Sequence, residues 1–262
     1  MENKVILISI DGMRPDGVKG CGNPYVKELM EKCTYTFDAQ TVFPSVTFPC
    51  HMSMFHSVPP ERHGITTNIY MPPVRPIDGI FEVVKNAGGV SSMYYGWEQM
   101  RDVSRPGSLK AADFINARAF ENTDSALTDR ALSFIKEVKP DFVFLYMVET
   151  DEKGGHDNDW MSKEYMKVLS TAIDNVKRVI EETGEEYTII VTADHGGHDR
   201  GHGTQMPEDM TIPMFFFGKE FEAGKELHGI NLLDLAPTII DVMKLNSPEE
   251  WEGKSLLSKR GL

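Results

Sequence analysis

The chain has 262 residues, 40% of them hydrophobic and 26% charged, which fits one large α/β domain with room for at most a small insertion. Its formal net charge of −13 excludes binding of a nucleic-acid groove or an anionic membrane through a broad basic patch. A small anionic partner is compatible with that charge if metal ions reverse the sign locally. The three cysteines, Cys21, Cys33 and Cys50, include no CxxC pair, so neither a disulfide framework nor a cysteine zinc site is expected.

The apolar run at the N-terminus is too short for a signal-peptide core or a bilayer span, so a cytoplasmic protein with no membrane association is expected. Residues 5–10 form a nearly continuous apolar stretch, as in a strand buried on both faces, and end at Asp11-Gly12. Residues 24–33 read as helix. Residues 34–42, rich in Thr, Tyr, Phe and Val, read as strand. A turn over 44–49 leads to a helix in which Pro49 suits the first turn and which runs to about Phe55. Residues 76–87 read as helix and 90–95 as strand. Residues 96–122 look irregular and polar, a minimal lid at most. Helix is predicted over 123–138, 161–182 and 232–245, and strand over 141–148, 187–191 and 211–217. Strands alternating with helices predict an α/β fold, a mostly parallel central sheet with helices on both faces. Ligands of such sheets sit outside the carboxyl ends of the strands.

Asp11, Asp151 and the pair Asp194-His195 all follow predicted strands. The pair stands in Thr-Ala-Asp-His-Gly-Gly-His at 192–198, whose glycines would let the backbone approach an ion closely. Read singly, Asp11-Gly12 is a turn, Thr47 a helix cap and Asn68 a loop residue. Asp151 and His156 then sit in solvated charge, and His198 and His202 are surface histidines. His51, His56, His63 and His228 read as structural or exposed. Read together, these residues meet the needs of a two-metal phosphoryl-transfer site: carboxylate and imidazole ligands, a nucleophile and oxyanion donors. Asp/His ligation without cysteine fits two zinc ions, with Mn²⁺ as second choice. Thr47, before a helix, is the candidate nucleophile. Its hydroxyl needs activation, which a metal would supply, and the helix N-terminus would favour phosphate. Asn68 could donate its amide to a non-bridging oxygen.

The stretches Ile8-Ser-Ile-Asp-Gly-Met-Arg-Pro-Asp16, Phe43-Pro-Ser-Val-Thr-Phe-Pro49, Glu61-Arg-His-Gly-Ile65 with Asn68, Thr192-Ala-Asp-His-Gly196, Gly201-His-Gly-Thr204 and Leu233-Asp-Leu-Ala-Pro-Thr-Ile-Ile240 carry a resemblance across nearly the whole chain. The chain resembles the nucleotide pyrophosphatase/phosphodiesterase branch of the alkaline phosphatase superfamily. The resemblance implies an alkaline-phosphatase-like fold over 1–262. It implies one zinc among Asp11, Thr47, Asp194 and His195, and another among Asp151, His156 and His202. It implies Thr47 as nucleophile, Asn68 as the phosphate contact, and Phe48 against the substrate's leaving group or base. The family spaces its first Asp and His four apart, as Asp-x-x-Gly-His. Here Asp151 and His156 are five apart, and Glu152 holds the four-apart position.

The implied activity is metal-dependent hydrolysis of phosphodiester or nucleotide pyrophosphate bonds in a small anionic substrate, through a phospho-threonine intermediate. The alternatives are a phosphomonoesterase or phosphonate hydrolase of the same superfamily, and a metal-binding protein without catalysis. A sulfatase is disfavoured because position 47 holds neither Cys nor Ser. Trp97, Arg101 and Arg105, in the 96–122 stretch, could touch substrate but read more simply as surface positions.

Overall fold

A computed structural model describes residues 1–257, so residues 258–262 of the predicted domain lie outside the described ones. Seven strands form one sheet: β1 Lys4–Ile10, β2 Thr34–Gln40, β3 Ser91–Tyr95, β4 Ala111–Phe114, β5 Phe142–Met147, β6 Tyr187–Thr192 and β7 Thr211–Phe217. Their spatial order is β2-β7-β6-β1-β5-β3-β4. The central strand β1 pairs in parallel with β5, where Ile10 faces Met147, and with β6, where Ser9 faces Thr192. All six residues of β5 and of β6 are buried. Continuous apolar runs rather than alternation are what such a doubly covered centre requires. Helices Thr123–Val138 and Lys163–Thr183 pack together as one layer, and helices Thr47–His56, Ile80–Asn86 and Leu235–Val242 form the other.

Two departures from the sequence reading bear on function. The first is β7, which runs antiparallel to both β6 and β2. No crossover helix joins β6 to β7; the short helix Pro207–Met210 is the only helix between them. The chain therefore leaves β6 and re-enters β7 at the same edge of the sheet. Residues 193–210 stay at the carboxyl edge as a consequence, and carry Asp194, His195 and His202 together.

The second is the stretch 96–122, which is not irregular throughout. It contains a 3₁₀ helix, Glu98–Val103, and the edge strand β4, paired in parallel with β3. Ala-Ala-Asp-Phe is half-buried or exposed at every position, so its short polar pattern hides a strand whose outer side lacks a neighbour. Among the described residues no helix is long and apolar enough to cross a membrane.

Candidate metal centre and active site

Asp11 directly follows β1, and its backbone N–H donates to Met147 O across the sheet at 2.9 Å. Thr150–His156, after β5, forms a π-helical turn, closed by Asp157 N–H donating to Glu152 O. A π turn brings residues five apart onto one face. The extra residue between Asp151 and His156 is absorbed in this way, and His156 Nε2 lies 3.4 Å from Asp151 Oδ2. Asp151 is buried. Glu152 is turned to an ion pair with Arg118. The start of this turn is held by buried Asp124, whose carboxylate accepts from Val148 N–H at 2.9 Å and Glu149 N–H at 3.0 Å.

Two triplets each bring one ligand atom per residue within 4.8 Å of one another: Asp11, Asp194 and His195, and Asp151, His195 and His202. His195 belongs to both, with its ring stacked on that of His202 at 3.8 Å between centroids. Its Nε2 is 3.3 Å from Asp11 Oδ1 and from Asp194 Oδ2. His202 Nε2 is 3.8 Å from Asp151 Oδ1.

The three imidazoles share one arrangement. Each Nδ1–H donates to a backbone carbonyl: His156 to Arg200 at 2.9 Å, His195 to Gly196 at 2.7 Å and His202 to Ser45 at 2.9 Å. Each Nε2 lone pair is thereby turned towards the carboxylates. Metal-bound histidines are oriented by this same kind of outer hydrogen bond.

The carboxylates supply the complementary observation. Asp11 Oδ1, Asp151 Oδ1 and Asp194 Oδ2 are buried with no hydrogen-bond partner. Burial, followed by repulsion from Asp151 and Asp194, pushes the Asp11 carboxyl well above its usual range. Burial, then Asp194, does the same to Asp151, and burial also raises Asp194. Burial depresses His195 to about 4 and His202 to about 3, so both rings are neutral donors of a lone pair. Orphaned buried carboxylate oxygens cost several kcal/mol unless a cation faces them. The donor set thus fits divalent cations, on chemistry as well as geometry.

Thr47 stands at the N-terminus of the helix Thr47–His56, its Oγ1 3.1 Å from His195 Nε2. Asn68 Oδ1 accepts at 3.0 Å from the N–H of Phe48, the residue next to Thr47, and the amide NH₂ is left free of that bond. Phe48 is the position that the resemblance sets against the substrate's leaving group or base. It is fully buried, and Tyr70, 40% exposed, lies over it with ring centroids 6.4 Å apart. Of this ring pair, Tyr70 is the exposed member. Arg101 is engaged by Glu98 and Asp102, and Arg105 by Asp78 and the Ile77 carbonyl. Trp97 is half-buried against the core.

Sequence reasoning missed two residues that touch the centre. Tyr146 donates its hydroxyl to Asp11 Oδ2. His51, read as structural or exposed, is fully buried; its Nδ1–H donates to Thr47 O at 2.8 Å, and that nitrogen lies 3.5 Å from Asp194 Oδ2. The signal for His51 was its place one helical turn after Thr47. Tyr146 had none, because inward and outward residues of β5 are equally apolar. His198, read as a surface residue, donates Nδ1–H to fully buried Asp209 at 2.7 Å, which also accepts from Thr204 N–H at 2.8 Å. That network braces the loop carrying His202.

Comparison with known proteins extends these observations. A region of the 2,3-bisphosphoglycerate-independent phosphoglycerate mutase of Clostridioides difficile is 34% identical over 139 residues, 51% of this chain but only 27% of that enzyme. The chain thus matches about a quarter of that relative's length. The fold is shared with murine ectonucleotide pyrophosphatase/phosphodiesterase 5, solved in complex with AMP, at a TM-score of 0.81 and 16% identity over 96% of this chain and 98% of that one. It is shared also with the phosphonate monoester hydrolase of Silicibacter pomeroyi, at a TM-score of 0.75 and 15% identity over 97% of this chain and 76% of that one. At such identities these structures establish an alkaline-phosphatase-like fold. The family model for type I phosphodiesterase / nucleotide pyrophosphatase matches residues 5–205, spanning Asp11, Thr47, Asp151, Asp194 and His202. By that match the chain belongs to the type I phosphodiesterase / nucleotide pyrophosphatase family.

Proposed function

We propose that this chain hydrolyses phosphodiester or nucleotide pyrophosphate bonds in a small anionic substrate, with Thr47 as nucleophile and two divalent cations, both zinc by preference, with Mn²⁺ as the alternative metal. The observation that carries this reading is the convergence of three orphaned buried carboxylate oxygens and the Thr47 hydroxyl on one sheet edge. Asp11, Asp194, His195 and Thr47 would hold one cation, and Asp151, His156 and His202 the other. Bound cations would supply positive charge that lowers the cost of the Thr47 alkoxide and of the phosphate oxygens. The rest falls to the chain itself. Thr47 Oγ1 bonds to phosphorus as the ester oxygen departs, giving a phospho-threonine that water then cleaves. The helix that begins at Thr47 directs its N-terminal dipole at the phosphate. Asn68 offers amide N–H groups to a non-bridging oxygen, and Tyr70 offers an aromatic face to the ester group.

Chelator-treated protein is expected to take up two zinc ions per chain on titration. Uptake of one ion or none would refute the two-cation reading. A preference for diesters over simple monoesters is also expected. A monoester dianion calls for an additional cationic partner, whereas Arg101 and Arg105 are both committed to carboxylates elsewhere. One neutral amide suits the single charge of a diester, a match worth about 3 kcal/mol at most by comparison with single oxyanion donors. The test is kcat/KM for p-nitrophenyl phosphate against that for a p-nitrophenyl nucleotide diester. A clear monoester preference would favour the second reading, phosphomonoester chemistry, to which the 34% identity with a phosphomutase points.

A further inference from the structure

Trp160 is 6% exposed and lies beneath the centre without being a ligand. The residues on either side of it, Asp159 with φ 71° and Met161 with φ 66°, are left-handed and neither is glycine. Non-glycine residues avoid that region, so two of them around one side chain indicate that the placement of that side chain outweighs the local cost.

The indole occupies a slot between two glycines. A Cβ on Gly155 would come within 2.5 Å of the ring, and one on Gly197 within 2.2 Å. A Cβ on Gly12 would lie 3.1 Å from it. The ring Nε1–H donates to Gly12 O at 2.9 Å. The ring also meets His156 edge to face at a centroid distance of 5.2 Å and His202 at 6.0 Å. Gly12 follows Asp11, Gly155 precedes His156, and Gly197 lies between His195 and His202. One side chain therefore touches the three segments that deliver the carboxylate and imidazole ligands. The sequence reading took the glycines after Asp194-His195 as room for an ion. The space beside Gly197 is filled by Trp160 instead.

We propose that Trp160 is a positioning residue for the cation held by Asp151, His156 and His202, fixing the separation of the three segments so that both imidazoles already face Asp151. This rests on the two-cation reading above. The indole meets two ligand rings of this cation directly, His156 and His202, but reaches the Asp11 segment only through Gly12, and Asp11 and Asp194 have their own contacts with Tyr146 and His51, so the effect is expected to fall on one ion.

The experiment is zinc titration of the chelator-treated full chain, wild type and Trp160→Phe, with calorimetry and intrinsic fluorescence as readouts. Trp160→Phe is expected to keep one ion at wild-type affinity and to bind the other about 10-fold or more weakly, the usual range for outer partners of metal ligands. Wild-type fluorescence is expected to change with the equivalent that Trp160→Phe weakens. The variant, which retains Trp97 and Trp251, is expected to lose that change. Where Trp160→Phe fails to fold, Gly197→Ala keeps the indole but displaces it, and the same selective loss is expected. Wild-type affinity for both ions, or equal weakening of both, would overturn the positioning role while leaving the two-cation reading intact. Failure of the wild type to bind a second ion would remove both.

Discussion

Thr47→Ala is expected to reduce diester turnover by on the order of 10,000-fold or more, as removal of a nucleophile does in other hydrolases. The hydroxyl lies at a helix N-terminus with its oxygen 3.1 Å from His195 Nε2, among the orphaned oxygens of Asp11 and Asp194. The fold should survive the change. Thr47 is buried as the first residue of its helix, the cap position is Val46, and the Thr47 hydroxyl is paired with the His195 ring and not with the helix backbone. The metals should largely survive it too, since Asp11, Asp194 and His195 remain. Steady-state kinetics with metal content measured on the same sample would check the pairing of lost turnover with retained ions. Activity within a few-fold of wild type would place the nucleophile elsewhere.

Asp151→Asn is expected to lower kcat/KM by about 100-fold or more, because an amide cannot supply the negative charge a cation needs from its carboxylate ligand. Glu152→Gln should change it by less than about 3-fold, since Glu152 engages Arg118 in a pair with one exposed partner, and such pairs contribute little. The two substitutions are chemically alike and lie on adjacent residues, so their ratio reports register and not composition. Kinetics on both variants would show it. The reverse ranking would mean that the functional turn follows four-residue spacing, with the π turn undone. Asp151 also lies 3.4 Å from His156 and 3.8 Å from His202, so Asp151→Asn should weaken one ion and spare the other.

Much of this protein is written in short-range pattern. The continuous apolar runs of β1, β5 and β6 announce a buried parallel sheet. Asp11, Asp151 and Asp194-His195 lie just after those runs, so their common edge follows from the strand assignments alone. The family motifs around Thr47, Asn68 and His202 add the expected chemistry. Other features depend on contacts between distant residues and leave no local trace. The direction of β7 was set by the absence of a crossover after β6, and it keeps His202 at the same edge as Asp194. Whether Asp151 or Glu152 turns inward was decided by the π turn, whose extra residue is paid for by packing against the rest of the domain. Phe48 is buried in a helix whose every residue is buried, and its ring meets that of Tyr70, 22 residues later in sequence. The edge strand β4 exists because β3 offers a free ladder, not because Ala-Ala-Asp-Phe favours extension. The sheet edge shared by the candidate ligands was thus legible from sequence, because Asp11, Asp151 and Asp194 each stand just after a recognisable strand. The spacing between ligands was not, because it is set by what packs between segments far apart in the chain, and Trp160 with its three glycines is the clearest case.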